Sequence, residues 1–244
     1  IVSYASSFDE YSADYEDLSD GGKYKHLFVL HFAYNANNQL EFLKVDYEEI
    51  DDSKNHLYLY KAKQGTGLDN SPCSKITRSF IHTYNLKIFS YFKKHQDKSP
   101  FFKSLFQVLE QAKDLIEEQG NELFSKIVGK EGKALTLQIN NKYIGEYQEV
   151  KEIFNEINAK EYYFRYDIES RSADKTCCNC FLKKEVWGYV NTYNFYTVNE
   201  FGMITGGFQK EKAWKNYPIC ESCATLLKTG KNYLDKHLTF SFYG

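Results

Sequence analysis

Residues 26–47 read HLFVLHFAYNANNQLEFLKVDY. From His26 to Phe32 the run is apolar apart from its two histidines. Asn35-Ala36-Asn37-Asn38 then gathers turn-forming residues, and a second apolar run goes from Leu40 to Tyr47. Two strand-like runs joined by such a cluster predict a β-hairpin. His26 and His31 are five residues apart, on opposite faces of a strand, so they are not a local pair of metal ligands and read as structural.

Upstream, Asp9, Glu10, Asp14, Glu16, Asp17 and Asp20 form an acidic run that reads as a solvated face or loop, ended by Gly21-Gly22. Downstream, Leu57 to Tyr60 looks like a further strand. The loop Gly65-Thr66-Gly67 with Asp69-Asn70-Ser71-Pro72 lacks the G-x-x-x-x-G-K-[ST] phosphate cradle. Ile76, Phe80, Tyr84, Ile88 and Phe92 recur every fourth residue. Leu105, Leu109, Ala112 and Ile116 do much the same behind Ser99-Pro100, an N-cap followed by a proline at the first helical position. Two amphipathic helices are expected there, their aromatic stripes packing a core. Leu135 to Ile139 alternates as a strand, Asn140-Asn141 turns, Tyr143-Ile144 begins the return, and Val150, Ile153, Phe154 and Ile157 outline a third helix. Hairpins and helices come in blocks, so residues 1–168 read as an α+β domain: a hairpin-rich sheet with packed helices.

The last third carries the chemistry. Of six cysteines, Cys73 stands alone, while Cys177-Cys178-Asn179-Cys180 and Cys220-Glu221-Ser222-Cys223 form two C-x2-C turns. Each such turn places two thiolates on one ion, and two turns close a tetrahedron. Cys177, Cys180, Cys220 and Cys223 are therefore the expected ligands of one structural zinc, with Cys178 pointing away. An iron–sulfur cluster or a redox dithiol are the alternatives. The turns are 39 residues apart, longer than the roughly 15–20 of a simple ribbon. Short strands at Val186–Val190 and Phe195–Val198, with turns at Gly202 and Gly206-Gly207, are expected in the insert. Residues 169–244 thus read as a long-insert, zinc-ribbon-like subdomain.

Composition narrows the functions. Hydrophobic residues make up 42% and charged residues 26% of the 244, and every apolar run is interrupted by polar residues. Disorder, a coiled coil and a membrane span are excluded. Clustered cysteines in a chain long enough to fold without staples favour a reducing, cytoplasmic setting. Residue 1 is Ile and Met203 is the only methionine, so the sequence reads as a fragment of a longer chain. Net charge is −2, which leaves no basic coat over the whole surface; any contact with nucleic acid is local. Residues 171–244 are the basic part, with 10 basic against 6 acidic side chains. There Lys183 and Lys184 follow the first cysteine turn, and Lys210, Lys212 and Lys215, with Trp214 among them, lead toward the second. These lysines are the candidate phosphate contacts, the alternative being an ordinary solvated face.

No catalytic constellation accompanies the cysteines. Four thiolates leave no open coordination position. The deaminase pattern H-x-E with P-C-x-x-C is not met, because Pro218 sits two residues before Cys220 and no histidine has Glu two residues on. H-E-x-x-H and G-x-S-x-G are absent as well.

Two segments carry a family likeness. The first runs from Leu57-Tyr58-Leu59-Tyr60-Lys61 through Asp69, Pro72 and Lys75-Ile76-Thr77 to Ile88-Phe89-Ser90-Tyr91-Phe92-Lys93-Lys94. It resembles the N-terminal signature of the large subunit of the type I-B CRISPR Cascade. Tyr217-Pro218-Ile219-Cys220-Glu221-Ser222-Cys223-Ala224, then Gly230-Lys231-Asn232-Tyr233-Leu234 and Phe240-Ser241-Phe242-Tyr243-Gly244, resemble that family's second zinc knuckle and the helix after it. The resemblance implies a non-catalytic subunit of a prokaryotic antiviral complex. Its partners would be guide RNA, target DNA, the other Cascade subunits and the helicase-nuclease, with no membrane. Such a subunit helps hold the complex together, reads the motif flanking the target and helps recruit the nuclease. A zinc-dependent hydrolase or deaminase, and a zinc-ribbon protein-interaction module, are the competing readings.

Overall fold

The hairpin forms as expected. In the computed structural model, which describes residues 15–62, 69–165, 167–193, 197 and 209–238, β1 (Tyr24–Tyr34) pairs antiparallel with β2 (Leu40–Glu49). Asn35 organises the turn, its side-chain oxygen accepting the amides of Asn37 at 2.9 Å and Gln39 at 3.0 Å. Asn38 supplies the left-handed residue at φ 57°. The acidic side chains of residues 9–14, the loop at 65–67, the turns at 202–207 and the expected strand at 195–198, apart from residue 197, lie outside the described residues.

The described chain divides into two compact units, Tyr15–Phe154 and the residues from Asn155 on. The subdomain expected at 169–244 and the residues from 155 to 168 therefore belong to one unit.

In the first unit β3 (Ser74–Ile76), β4 (Gly132–Ile139) and β5 (Lys142–Tyr143) join the hairpin in the order β2-β1-β4-β3, with β5 beside β4. On its other side β1 runs parallel to β4, Leu30 facing Leu137. This parallel centre is the main departure from a hairpin-rich sheet: a parallel pair needs a long crossover, and the helices between residues 80 and 126 supply it. β3 and β5 flank β4 antiparallel. Asn140 and Asn141, at φ 50° and 60°, make the tight turn into β5. Both faces of β1 are covered. Leu27 and Val29 pack with Leu18, Tyr58, Tyr60 and Cys73, while the Phe28 ring meets Phe80 and Phe124 on the helical side at 5.7 and 5.8 Å. Burial on both faces is why this stretch reads as a continuous apolar run.

Two local expectations are corrected. Leu57–Tyr60 is not a strand. Asp51 caps a short turn by accepting the Ser53 amide, and the chain continues into the one-turn helix α1 (Asn55–Tyr58), ended by Leu59 at φ 53°. Tyr58, Leu59 and Tyr60 are all buried, so the apolar letters record packing and not strand alternation. Ile76 belongs to β3, so the four-residue row starts at Phe80 in α2 (Phe80–Thr83), where Ser79 caps the His82 amide. A π-helical stretch, Tyr84–Phe89, links α2 to α3 (Ser90–His95). An i→i+5 turn holds more than four residues, so it keeps a four-residue row facing the core longer than a 3.6-residue helix would. Phe80, Tyr84, Ile88 and Phe92 are accordingly all fully buried.

The second amphipathic stretch is two helices, α4 (Pro100–Gln111) and α5 (Lys113–Lys126), broken at Ala112. Ser99 and Pro100 open α4 as predicted, Ser99 Oγ accepting the Phe102 amide at 3.2 Å. Gly120 lets α5 approach α2: a Cβ there would lie 1.9 Å from the Phe80 ring. The third expected helix is α6 (Gln148–Ala159).

The second unit is built on a two-stranded ribbon, β8 (Arg171–Thr176) with β9 (Lys183–Trp187), preceded by the short pair β6 (Phe164–Arg165) and β7 (Ile168–Glu169). A 3-10 helix, Lys210–Lys215, and α7 (Glu221–His237) complete it. Tyr162 stacks on Trp187, rings 6.2 Å apart, within a core that includes Cys177, Val186, Ile219, Cys220 and Ala224. Among the described residues, no helix is long and apolar enough to cross a membrane.

Candidate metal centre

The two cysteine turns meet because backbone bonds join them. The Cys178 amide donates to Pro218 O at 2.9 Å, and the Trp187 amide to Ile219 O at 2.8 Å. The first turn closes on itself, Phe181 N donating to Cys177 O and Cys177 N to Leu182 O, at 2.9 and 3.0 Å. The second opens α7, with Ala224 N on Cys220 O at 2.9 Å. Ligand atoms of Cys177, Cys180, Cys220 and Cys223 all lie within 4.8 Å of one another, Cys180 Sγ and Cys220 Sγ at 3.8 Å. A tetrahedron with metal–sulfur bonds of about 2.3 Å has edges of about 3.8 Å, so the four residues suit a metal ion. Cys178 is exposed and outside the group, as expected from the spacing.

Donors to sulfur prepare the site. Burial opposes the Cys177 thiolate, but the amides of Cys180, Cys220 and Asn179 outweigh it and hold this thiol below its ordinary range. At Cys223 burial dominates and neighbouring sulfurs reinforce it, so that thiol is pushed up, although Asn179 Nδ2 approaches its sulfur at 3.3 Å. Asn179 is a supporting residue that spacing alone did not reveal.

The five candidate lysines do not form one patch. Lys183 and Lys184 are adjacent in β9 and so project from opposite faces of the ribbon. Lys184 stands directly opposite Lys175, which the sequence reading passed over. The Lys175 ammonium lies 5.7 Å from the Trp214 ring centre and the Lys215 ammonium 5.6 Å from it. Lys184 reaches Ser222 Oγ at 3.3 Å. Lys175 and Lys215 thus flank Trp214, Lys184 joins them from across the ribbon, and none of the three has a carboxylate partner among the described residues. In a 3-10 helix residues three apart share a face, so Lys212 lies beside Lys215, while Lys210 shares the face of the fully buried Ala213. Ser170, itself fully buried, ties this helix down: its Oγ accepts the Trp214 amide and donates to Glu211 O, each at 3.1 Å. The register that brings Lys175 to Lys184 depends on a bulge between Ser172 and Lys175, which no spacing rule announces.

Phe181, just after the first turn, has φ 59° and is 77% exposed. A left-handed backbone costs a non-glycine residue roughly 1–2 kcal/mol, and this side chain buries almost nothing in return.

Comparison with protein families returned two matches. Residues 3–156 match the N-terminal domain of CRISPR-associated protein TM1802, and residues 174–244 match its central domain. Comparison with curated proteins gave no match, nor did comparison with solved structures. Both matched domains follow one another here in the order their descriptions imply, and together they take in the sheet unit and the cysteine site, so the chain belongs to the CRISPR-associated TM1802 family.

Proposed function

We propose that the chain is a non-catalytic, nucleic-acid-contacting scaffold subunit of a CRISPR RNA-guided DNA surveillance complex, with one structural zinc on Cys177, Cys180, Cys220 and Cys223. The observation that carries this reading is the cluster of Lys175, Lys184 and Lys215, two of them against Trp214. Lys175 and Lys184 are like charges placed directly opposite each other, an arrangement that weakens a ribbon unless an anion lies against it. Phosphate is such an anion, and a family acting in CRISPR systems meets it in guide RNA and target DNA. Four thiolates fill the coordination of zinc and leave no position for an activated water, which favours a structural metal over a hydrolase or deaminase. The finer assignment is the large subunit of a type I-B Cascade, working in the cytoplasm with the other subunits, helping to read the target-flanking motif and to recruit the helicase-nuclease.

The test is co-purification. The tagged protein is expressed with its genomic neighbours and fractionated by size. It should elute in a particle containing guide RNA and zinc, and removing it should abolish target binding. Elution of the chain apart from any RNA-containing particle contradicts the proposal.

A further inference from the structure

We infer that Phe181 is a stacking residue for an unpaired base of single-stranded nucleic acid, with Lys175 and Lys184 holding the flanking phosphates. The inference rests on the nucleic-acid reading above and names the form of ligand that this ribbon takes. Phe181 occupies a backbone conformation that suits glycine, yet it carries a large aromatic side chain exposed to solvent. Among the described residues the strain brings the ring little packing, so the side chain's contribution lies in a contact beyond them. The cysteine turn holds the residue rigidly through the Phe181 amide on Cys177 O, so the ring is presented at little entropic cost. Chain order then runs directly into Lys183 and Lys184, with Lys175 across the ribbon from Lys184, so the aromatic and two lysines without a carboxylate partner among the described residues belong to the same end of the ribbon. An exposed ring stacks on an unpaired base without disturbing a helix, whereas entering a duplex costs the unstacking of a base step, which favours a single strand. An acidic-rimmed apolar pocket on a protein partner is the other occupant such a knob would fit, and the experiment separates the two.

The zinc-loaded chain is titrated with fluorescein-labelled oligo(dT), with the same oligonucleotide carrying one 2-aminopurine, and with a duplex of equal length. Wild type should bind the single strand more tightly and quench the 2-aminopurine. Phe181→Ala should lose about tenfold in single-strand affinity and lose the quench, with its salt slope unchanged, while Phe181→Trp keeps both. Lys175→Ala with Lys184→Ala should lower the log–log salt slope by about 0.7 per lost contact. Phe181→Gly, which relieves the backbone, should melt above wild type and bind like Phe181→Ala, showing that lost binding is not misfolding. Wild-type affinity and quench in Phe181→Ala overturn the inference. So does a Phe181→Ala variant that binds oligonucleotides normally but no longer joins its protein partners. In both of these cases lysine-dependent duplex or RNA binding leaves the broader nucleic-acid role standing, whereas loss of all nucleic-acid binding in wild type brings down both.

Discussion

Cys177, Cys180, Cys220 and Cys223 differ from the other two cysteines in what surrounds each sulfur. Protein purified without chelator should carry one zinc per chain by elemental analysis. Cys178→Ser should keep it; Cys177→Ser or Cys220→Ser should lose it and unfold much of the second unit, because metal binding in such a site is folding free energy. Cys73 is a different case. It is fully buried beneath the sheet, and burial pushes its thiol far above the ordinary range. In the unfolded chain it ionises near pH ~8.5. The stabilisation is therefore complete below that pH. Above it, unfolding releases a proton and stability falls with rising pH, the slope steepening toward about 1.4 kcal/mol per unit well above pH ~8.5. Denaturant midpoints between pH 8 and 9.5 should show this steepening slope, and Cys73→Ala, though less stable at neutral pH, should show a flatter one. Tyr91 is 1% exposed, and its hydroxyl has no hydrogen-bond partner among the described residues. Tyr91→Phe removes that group and should raise stability by about 1 kcal/mol in denaturant titration.

Between elements, two glycines set close approaches. A Cβ at Gly120 would enter the Phe80 ring, and one at Gly188 would lie 2.3 Å from Ser170 Oγ and 2.5 Å from Trp214 N. Each alanine variant should cost roughly 1–3 kcal/mol through overpacking, but in different places. Hydrogen exchange should rise in α2 and α5 for Gly120→Ala, with zinc content unchanged. For Gly188→Ala it should rise in the 3-10 helix at Lys210–Lys215, which Ser170 would no longer hold. The cysteine turns and the hairpin were legible in the sequence because their signals are local: spacing of a few residues fixes what a turn can do. Asn35 and Asn140-Asn141 marked their turns for the same reason. The parallel pairing of β1 with β4 was not legible, since nothing within either strand records a partner reached only after the crossover helices. Leu57–Tyr60 misled because buried aromatic and aliphatic residues look alike in a strand and in a one-turn helix, and Leu59 in the left-handed region carried no glycine to announce it.

For the molecule as a whole, a net charge of −2 conceals a basic final third, and the ribbon concentrates that charge further by register. Lys184 and Lys215 were legible as candidates, but their link through Lys175 and Trp214 was not, because it is made across strands. Lys183 and Lys210 were candidates on composition alone, and the geometry sets them apart from the cluster. In the proposed function this cluster contacts nucleic acid in the assembled complex. That contact is tested most directly by the salt dependence of target-DNA binding for wild type and for Lys175→Ala, Lys184→Ala and Lys215→Ala combined. Each lost duplex phosphate contact should lower the log–log slope by about 0.9, with zinc content and the thermal midpoint nearly unchanged because exposed lysines contribute little to folding. Wild-type affinity and slope in the triple variant would contradict it.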